Sequence, residues 1–211
     1  MKDLHIISEQ TMALPNTAYQ ARHFINGVVQ DSADGRTSDR TSPSHGVVVS
    51  QAALGSAVEA EAAIKAARTA FDDGRWSRLS GKARADVLNK VADLIEANVE
   101  KLALIETLES GKPISQARGE CGGAADLWRY AAALARTHKG DSHNSLGADM
   151  LAVVLKEPRG VVSIITPWNF PLLLAIWKIA PALLAGNTMV LKPSPFTPLC
   201  TLWFGELANK I

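Results

Sequence analysis

Apolar residues recur at helical spacing through the middle of the chain and gather into short continuous runs near its carboxyl end. That change of period predicts a helical half followed by a strand–helix–strand unit. Ser56-Ala57-Val58-Glu59 has the form of a capping box, in which the hydroxyl accepts from the backbone three residues on and the carboxylate reaches back. Ala60, Ile64, Ala67 and Phe71 follow at steps of four, three and four, predicting one buried helix face that stops at Asp73-Gly74. A second run carries Val87, Leu88, Val91, Leu94 and Ile95, and a third, after Asn98, carries Leu102 and Ile105 before Ser110-Gly111. Ile114 to Ala135 is rich in alanine, with Leu127, Trp128 and Leu134 for bulk, which predicts a helix pressed closely against its neighbours. Trp128 and Tyr130 read as core or interface residues. Ahead of the helices, Asn26-Gly27 between apolar residues predicts a hairpin over 24–30, and Asp31 to His45, dense in turn-forming residues, reads as loop.

Beyond the polar stretch Lys139 to Gly147, the apolar run from Met150 to Lys156 suits a strand, and Glu157-Pro158-Arg159-Gly160 suits a tight turn. Val161-Val162-Ser163-Ile164-Ile165 is short and β-branched, as expected of a strand covered on both faces in a parallel sheet. Leu172 to Leu184 is long enough for a helix, Gly186-Asn187 supplies its stop, and Thr188 to Leu191 reads as a second buried strand. Pro198 to Ile211 reads as a further helix. A parallel sheet of two strands leaves open edges, so the chain reads as cut short.

Composition narrows the class. The 211 residues are 47% hydrophobic and 20% charged, which fits a folded globular protein and excludes disorder as the main theme. The 22 basic and 21 acidic side chains leave a formal charge of +1, so no global field favours nucleic acid or an anionic membrane. Cys121 and Cys200 stand far apart, and the first sixteen residues carry Asp3, His5 and Glu9 without a leader-like apolar core. A reducing, cytoplasmic location is the expectation. Phe170 to Ala185 is broken by Pro171, Lys178 and Pro181 and falls short of the roughly 20 residues a membrane span requires. The five histidines have no metal-ligand spacing, so no metal site is expected.

In a parallel sheet, nucleotides bind beyond the carboxyl ends of the strands. Here the first turn at that end is Thr166-Pro167-Trp168-Asn169-Phe170-Pro171, which has no glycine and so cannot form the usual phosphate cradle. Its two prolines stiffen the backbone around one carboxamide, and a fixed N–H donor is what a developing oxyanion requires. Taken by itself, Asn169 also suits a turn-stabilising role.

The run EPRGVVSIITPWNFPLLLAIWKIAPALLAGNTMVLKPSPFTPL, Glu157 to Leu199, resembles the aldehyde dehydrogenase superfamily in its ordered E-P-x-G-V, P-W-N-F-P, K-x-A-P-A-L, G-N and K-P-S elements. FINGVVQDSADGR, AFDDGRWSRLSGKAR, LIETLESGKPISQARGE and WRYAAALA extend the resemblance upstream to about Arg22. It implies an α/β fold: an incomplete Rossmann-type coenzyme domain with an amino-terminal helical region. The implied layout is a tail over 1–21, a hairpin and helices over 22–147, an oligomerisation strand over 148–157 and the first βαβ over 158–211, with the family's catalytic domain absent.

The resemblance also implies oxidation of an aldehyde to a carboxylic acid with NAD or NADP, in a homo-oligomer. Asn169 matches the family's oxyanion-hole side chain and Lys178 a lysine near the nucleophile. Ile165, Thr166 and Trp168 match positions at the nicotinamide end of the coenzyme, Lys192 the lysine that binds the adenosine ribose, and Ser194 lies beside it. Many NAD-preferring members carry a glutamate where Pro195 stands. The family's nucleophilic cysteine and general-base glutamate fall beyond Ile211, and neither Cys121 nor Cys200 has the nucleophile's surroundings, so the chain by itself is expected to be inactive. A non-catalytic association module and a nucleotide-binding protein without chemistry are the alternative readings.

Overall fold

A computed structural model describes Leu14 and residues 17–211; the expectations for the first sixteen residues lie almost wholly outside it. The chain opens with β1 (Tyr19–Ala21) and a hairpin of β2 (His23–Ile25) and β3 (Val28–Gln30), followed by β4 (Thr37–Thr41) and β5 (Val48–Ala53). Asn26 and Gly27 both have positive φ, 52° and 77°, the conformation a two-residue hairpin turn requires. β5 lies between β1, parallel to it, and β4, antiparallel to it. β4 falls inside the stretch expected to be loop: its Thr, Ser and Arg residues alternate between half-buried and exposed, a pattern that turn composition masks.

Four helices follow: α1 (Ala57–Asp72), α2 (Gly81–Ala97), α3 (Val99–Ser110) and α4 (Ile114–Thr137). The capping box at Ser56 and Glu59 forms as expected. The face does not: Ala60 and Ile64 are exposed, while Glu59 and Ala67 are buried, because the cap and the contact with the later sheet fix the helix's rotation. α2 and α3 keep their expected apolar faces, with Leu88, Ile95, Leu102 and Ile105 in the core; of the bulky residues expected on α4, Trp128 is buried, Leu127 half-buried and Leu134 exposed, the close packing being made by its alanines. Trp128 lies 6.3 Å from Phe204, centroid to centroid, whereas Tyr130 faces outward.

The segment expected to be a strand over 148–157 is strand only at β7 (Ala152–Val153), paired with β6 (Ser142–His143). Leu151, Val153 and Leu155 are exposed. A strand lengthens only where a partner supplies backbone hydrogen bonds, and the polar segment before it offers two residues.

The βαβ unit is β8 (Val161–Ile165), α5 (Pro171–Leu184) and β9 (Thr188–Lys192), and α6 (Pro198–Ala208) follows. β8 and β9 are parallel and in register from Val161–Thr188 to Ile165–Lys192. Of β8 only Ile164 is buried, so the strand is not covered on both faces as its composition suggested. The carboxyl end of α5 is satisfied from outside it: Trp76 Nε1 donates to the carbonyl of Leu183 and Arg84 Nε to that of Leu184, each at 3.0 Å. Asn187 accepts from the Gly160 amide at 3.0 Å and donates to the Ala182 carbonyl at 3.2 Å, which joins the turn after α5 to the start of β8.

Candidate functional site

The carboxyl ends of β8 and β9 bring Ile165 and Lys192 side by side, and the Thr166 amide prolongs the pairing by donating to the Lys192 carbonyl at 3.2 Å. Ile165 is 73% exposed. The Thr166 hydroxyl is buried without a hydrogen-bond partner. The Lys192 side chain is exposed and, among the described residues, meets only the carbonyl of Pro193, at 3.4 Å. An apolar face, an unpartnered hydroxyl and an uncommitted ammonium thus converge where a parallel sheet takes nucleotides. An apolar surface for a ring and hydrogen-bonding groups for hydroxyls are the kinds of group a nicotinamide coenzyme takes.

Next comes the turn that carries Trp168 and Asn169, both exposed. Its far end is Phe170, which caps α5 in the left-handed conformation at φ 53° and ψ 52°. A phenylalanine there is strained and persists only when its surroundings hold it. Pro171 then occupies the first helical position, where its missing N–H is not needed. Two bonds tie the turn to α6: Thr197 Oγ1 donates to the Trp168 carbonyl and Thr201 Oγ1 to the Pro171 carbonyl, each at 3.3 Å.

Ser194 is buried, and its hydroxyl accepts from the Phe196 amide at 3.2 Å, so it shapes the loop between Lys192 and α6. Lys178 lies in the middle of α5 on its exposed face. At a rise of about 1.5 Å per residue it stands roughly 10 Å up the helix from the turn. The geometry therefore groups Ile165, Thr166, Trp168, Asn169 and Lys192 at one end of the sheet and sets Lys178 apart.

Behind the turn are two buried acidic groups that sequence inspection did not single out. Glu109 accepts from Ser50 Oγ at 3.0 Å and from the amides of Leu199 and Cys200 at 3.0 and 3.4 Å, capping α6, which has no side-chain cap of its own. Burial pushes its carboxyl up to about 8, against the pull of those donors. Glu106, Lys112 and Glu120 form a second cluster, with Lys112 bonded to Glu106 at 2.5 Å and also to Glu120. Burial, together with the neighbouring Glu120, raises the Glu106 carboxyl despite Lys112. The Lys112 ammonium also lies 4.4 Å from the centroid of the Phe170 ring. The signal for these residues was the polar run Glu106 to Lys112 within a helix that ends on glycine, read only as a helix stop.

The surface carries two clefts, the first of them beside the turn. One, of about 550 Å³, is walled by Arg40, Glu109, Trp168 and Phe196. The other, of about 490 Å³, lies between α4 and α5 along Leu127, Tyr130, Leu173 and Trp177. Cys121 and Cys200 are buried free thiols; burial raises both, Cys121 to about 12, so neither is a thiolate nucleophile at neutral pH. Among the described residues no group of three or more His, Cys, Asp or Glu side chains is arranged to hold a metal ion, and no helix is long and apolar enough to cross a membrane.

Known proteins resemble this chain in sequence and in fold. The NADP/NAD-dependent aldehyde dehydrogenase PuuC of Escherichia coli is 41% identical over 208 residues, covering 98% of this chain and 41% of the relative. Betaine aldehyde dehydrogenase of Bacillus subtilis is 47% identical over 140 residues, which is 66% of this chain and 29% of that protein. The crystal structure of an NAD-dependent aldehyde dehydrogenase from Sinorhizobium meliloti superimposes with a TM-score of 0.89 at 50% identity, covering 92% of this chain and 39% of that one. Betaine aldehyde dehydrogenase from Staphylococcus aureus in complex with NAD+ gives a TM-score of 0.87 at 39% identity, over 90% of this chain and 38% of that one. The chain thus spans about two fifths of the length of PuuC. The family model described as "Aldehyde dehydrogenase family" matches residues 29–211, and with the fold in agreement, this chain belongs to the aldehyde dehydrogenase family.

Proposed function

We propose that this chain supplies the coenzyme-binding end and the oxyanion donor of an NAD(P)-dependent enzyme that oxidises an aldehyde to a carboxylic acid. The observation that carries the reading is the convergence of Ile165, the unpartnered Thr166 hydroxyl, Lys192 and the Asn169 turn at the carboxyl ends of β8 and β9. Membership of the family and the NAD+ complex of a structural relative support it.

A bound coenzyme would supply the hydride acceptor for the oxidation. Lys192 would bind its adenosine ribose, with Ser194 holding the loop, while Ile165, Thr166 and Trp168 would bound its nicotinamide end. Asn169 would donate its carboxamide N–H to the carbonyl oxygen of the aldehyde as negative charge develops there, and the two flanking prolines fix that donor in advance. Lys178, up the helix from the turn, would act on the electrostatics near the nucleophile rather than on the oxyanion. The nucleophile and the general base are expected from outside residues 1–211.

Residues 22–147 and 158–211 would together form one part of the coenzyme domain. The exposed Leu151, Val153 and Leu155 favour 148–157 as an edge for pairing between identical subunits.

The test is coenzyme binding. Titration calorimetry of this chain with NAD and NADP should show saturable binding, weakened at least about tenfold by Lys192→Ala, since a charge-assisted contact contributes roughly 1.5 to 3 kcal/mol. A folded chain that binds neither coenzyme would refute the reading.

A further inference from the structure

The cluster of Glu106, Lys112 and Glu120 lies on α3, the α3–α4 turn and α4, away from the strand ends, yet its cation touches the residue next to Asn169. We propose that Lys112 is a positioning residue: held by Glu106 and Glu120, its ammonium clamps the Phe170 ring and so fixes the direction in which Asn169 presents its carboxamide. The inference rests on the oxyanion reading of Asn169 and names what aims that donor.

Lys112 is only 12% exposed, and Glu106 is fully buried. Charges taken out of water are costly, and a buried ion pair is weak evidence of stability alone. An ammonium has three donors. Two are taken by the carboxylates, and the third side of the ammonium meets the negative face of the Phe170 ring, at 4.4 Å from its centroid. Phe170 is the strained element, an aromatic residue at φ 53°. Its backbone hands the chain from the exposed turn into α5, and its carbonyl accepts the first bond of that helix, from the Leu174 amide at 2.9 Å. With the carbonyl fixed by the helix and the ring fixed by Lys112, the residue has little freedom to relax toward φ < 0. Rotation about that φ would swing Asn169, the preceding residue, out of line. The carboxylates in turn fix Lys112, since α3 and α4 approach it from two sides.

The test is made in the enzyme at the family's full length. Lys112→Met should lower kcat about tenfold or more while the KM for coenzyme stays within about twofold, because the strand ends are untouched. Lys112→Arg, which keeps a cation over the ring, should restore most of the rate. In an Asn169→Ala or a Phe170→Leu background, Lys112→Met should cost less than about twofold more, since the three residues act as one unit. If Lys112→Met does not fold, Phe170→Leu, which leaves all three charges paired, should reproduce the loss and show the same dependence on Asn169. Equal losses from Lys112→Met with and without Asn169 would overturn the inference, as would an unchanged kcat. Should Asn169→Ala itself leave kcat unchanged, the oxyanion reading fails and this inference with it; loss in Asn169→Ala but not in Lys112→Met or Phe170→Leu overturns this inference alone.

Discussion

Thr197 donates its hydroxyl to the carbonyl of Trp168 at 3.3 Å, a bond across 29 residues between the start of α6 and the turn that presents Asn169. The loop that runs from Lys192 through Ser194 leads straight into Thr197. The proposed oxyanion donor and the proposed ribose-binding lysine are therefore braced against the same point. Because Glu109 caps the next residues of α6, the brace is anchored in turn to α3 and β5.

Asn169→Ala in the full-length enzyme should lower kcat by about a hundredfold or more, the order found when one oxyanion donor is removed. Steady-state kinetics check this. A KM for coenzyme that stays near wild type would separate loss of the donor from collapse of the strand ends.

Purified on its own, this chain should leave aldehydes unoxidised. Cys121 and Cys200 are buried and held as thiols, and Asn169 cannot form a covalent adduct. Coenzyme reduction followed at several aldehydes is the measurement, and turnover abolished by Cys200→Ser would contradict the expectation.

Coenzyme choice in the full-length enzyme should be permissive. Pro195 is exposed beside Lys192 and offers no carboxylate to repel a 2′-phosphate, while Lys192 is free to meet one. NADP should be used within about tenfold of NAD in kcat/KM, a margin of about 1.4 kcal/mol. A preference for NAD beyond about a hundredfold would show that another residue restores selectivity.

Glu109 gives the fold a pH dependence whose sign is fixed by burial. Its carboxyl is raised from 4.5 to about 8 in the folded chain, so between those values the folded state binds more protons than the unfolded one. Stability contributed by this group should fall as pH rises through that window. Glu106 is raised as well, so the comparison to make is between wild type and Glu109→Gln, whose denaturation midpoint should decline less from about pH 5 to about pH 8. Glu109→Ala should destabilise at every pH by about 1 to 3 kcal/mol for each amide of α6 left unpaired.

The sequence was most informative where local chemistry acts alone. The capping box at Ser56, the turn at Asn26-Gly27, the stop at Gly111 and the βαβ period were legible because each depends on residues close in the chain. β4 was hidden because its pairing partner β5 lies beyond a turn and its composition is that of a loop. The rotation of α1 was also hidden: Thr188 Oγ1 donates to the Ala67 carbonyl from 121 residues away, a contact no window in α1 reveals. At the site, Asn169 and Lys192 were named from their motifs. Lys112 and Glu109 were not, since a charged residue near a helix end is usually a solvated one and only the packing of α4 and α6 shows these to be buried.

The packing of α2, α3 and α4 bears on how the chain assembles. These helices are consecutive, and α4 lies along both of the others, so their contacts close short loops and can form early. The sheet of β8 and β9 has no such advantage: among the described residues each strand has one neighbour, and its fit to α1 spans more than a hundred residues. During synthesis the helical layer would be complete before β8 emerged, giving α5 a prepared apolar surface to dock on. The strand ends that carry the proposed chemistry would then take their place against a helical layer already formed.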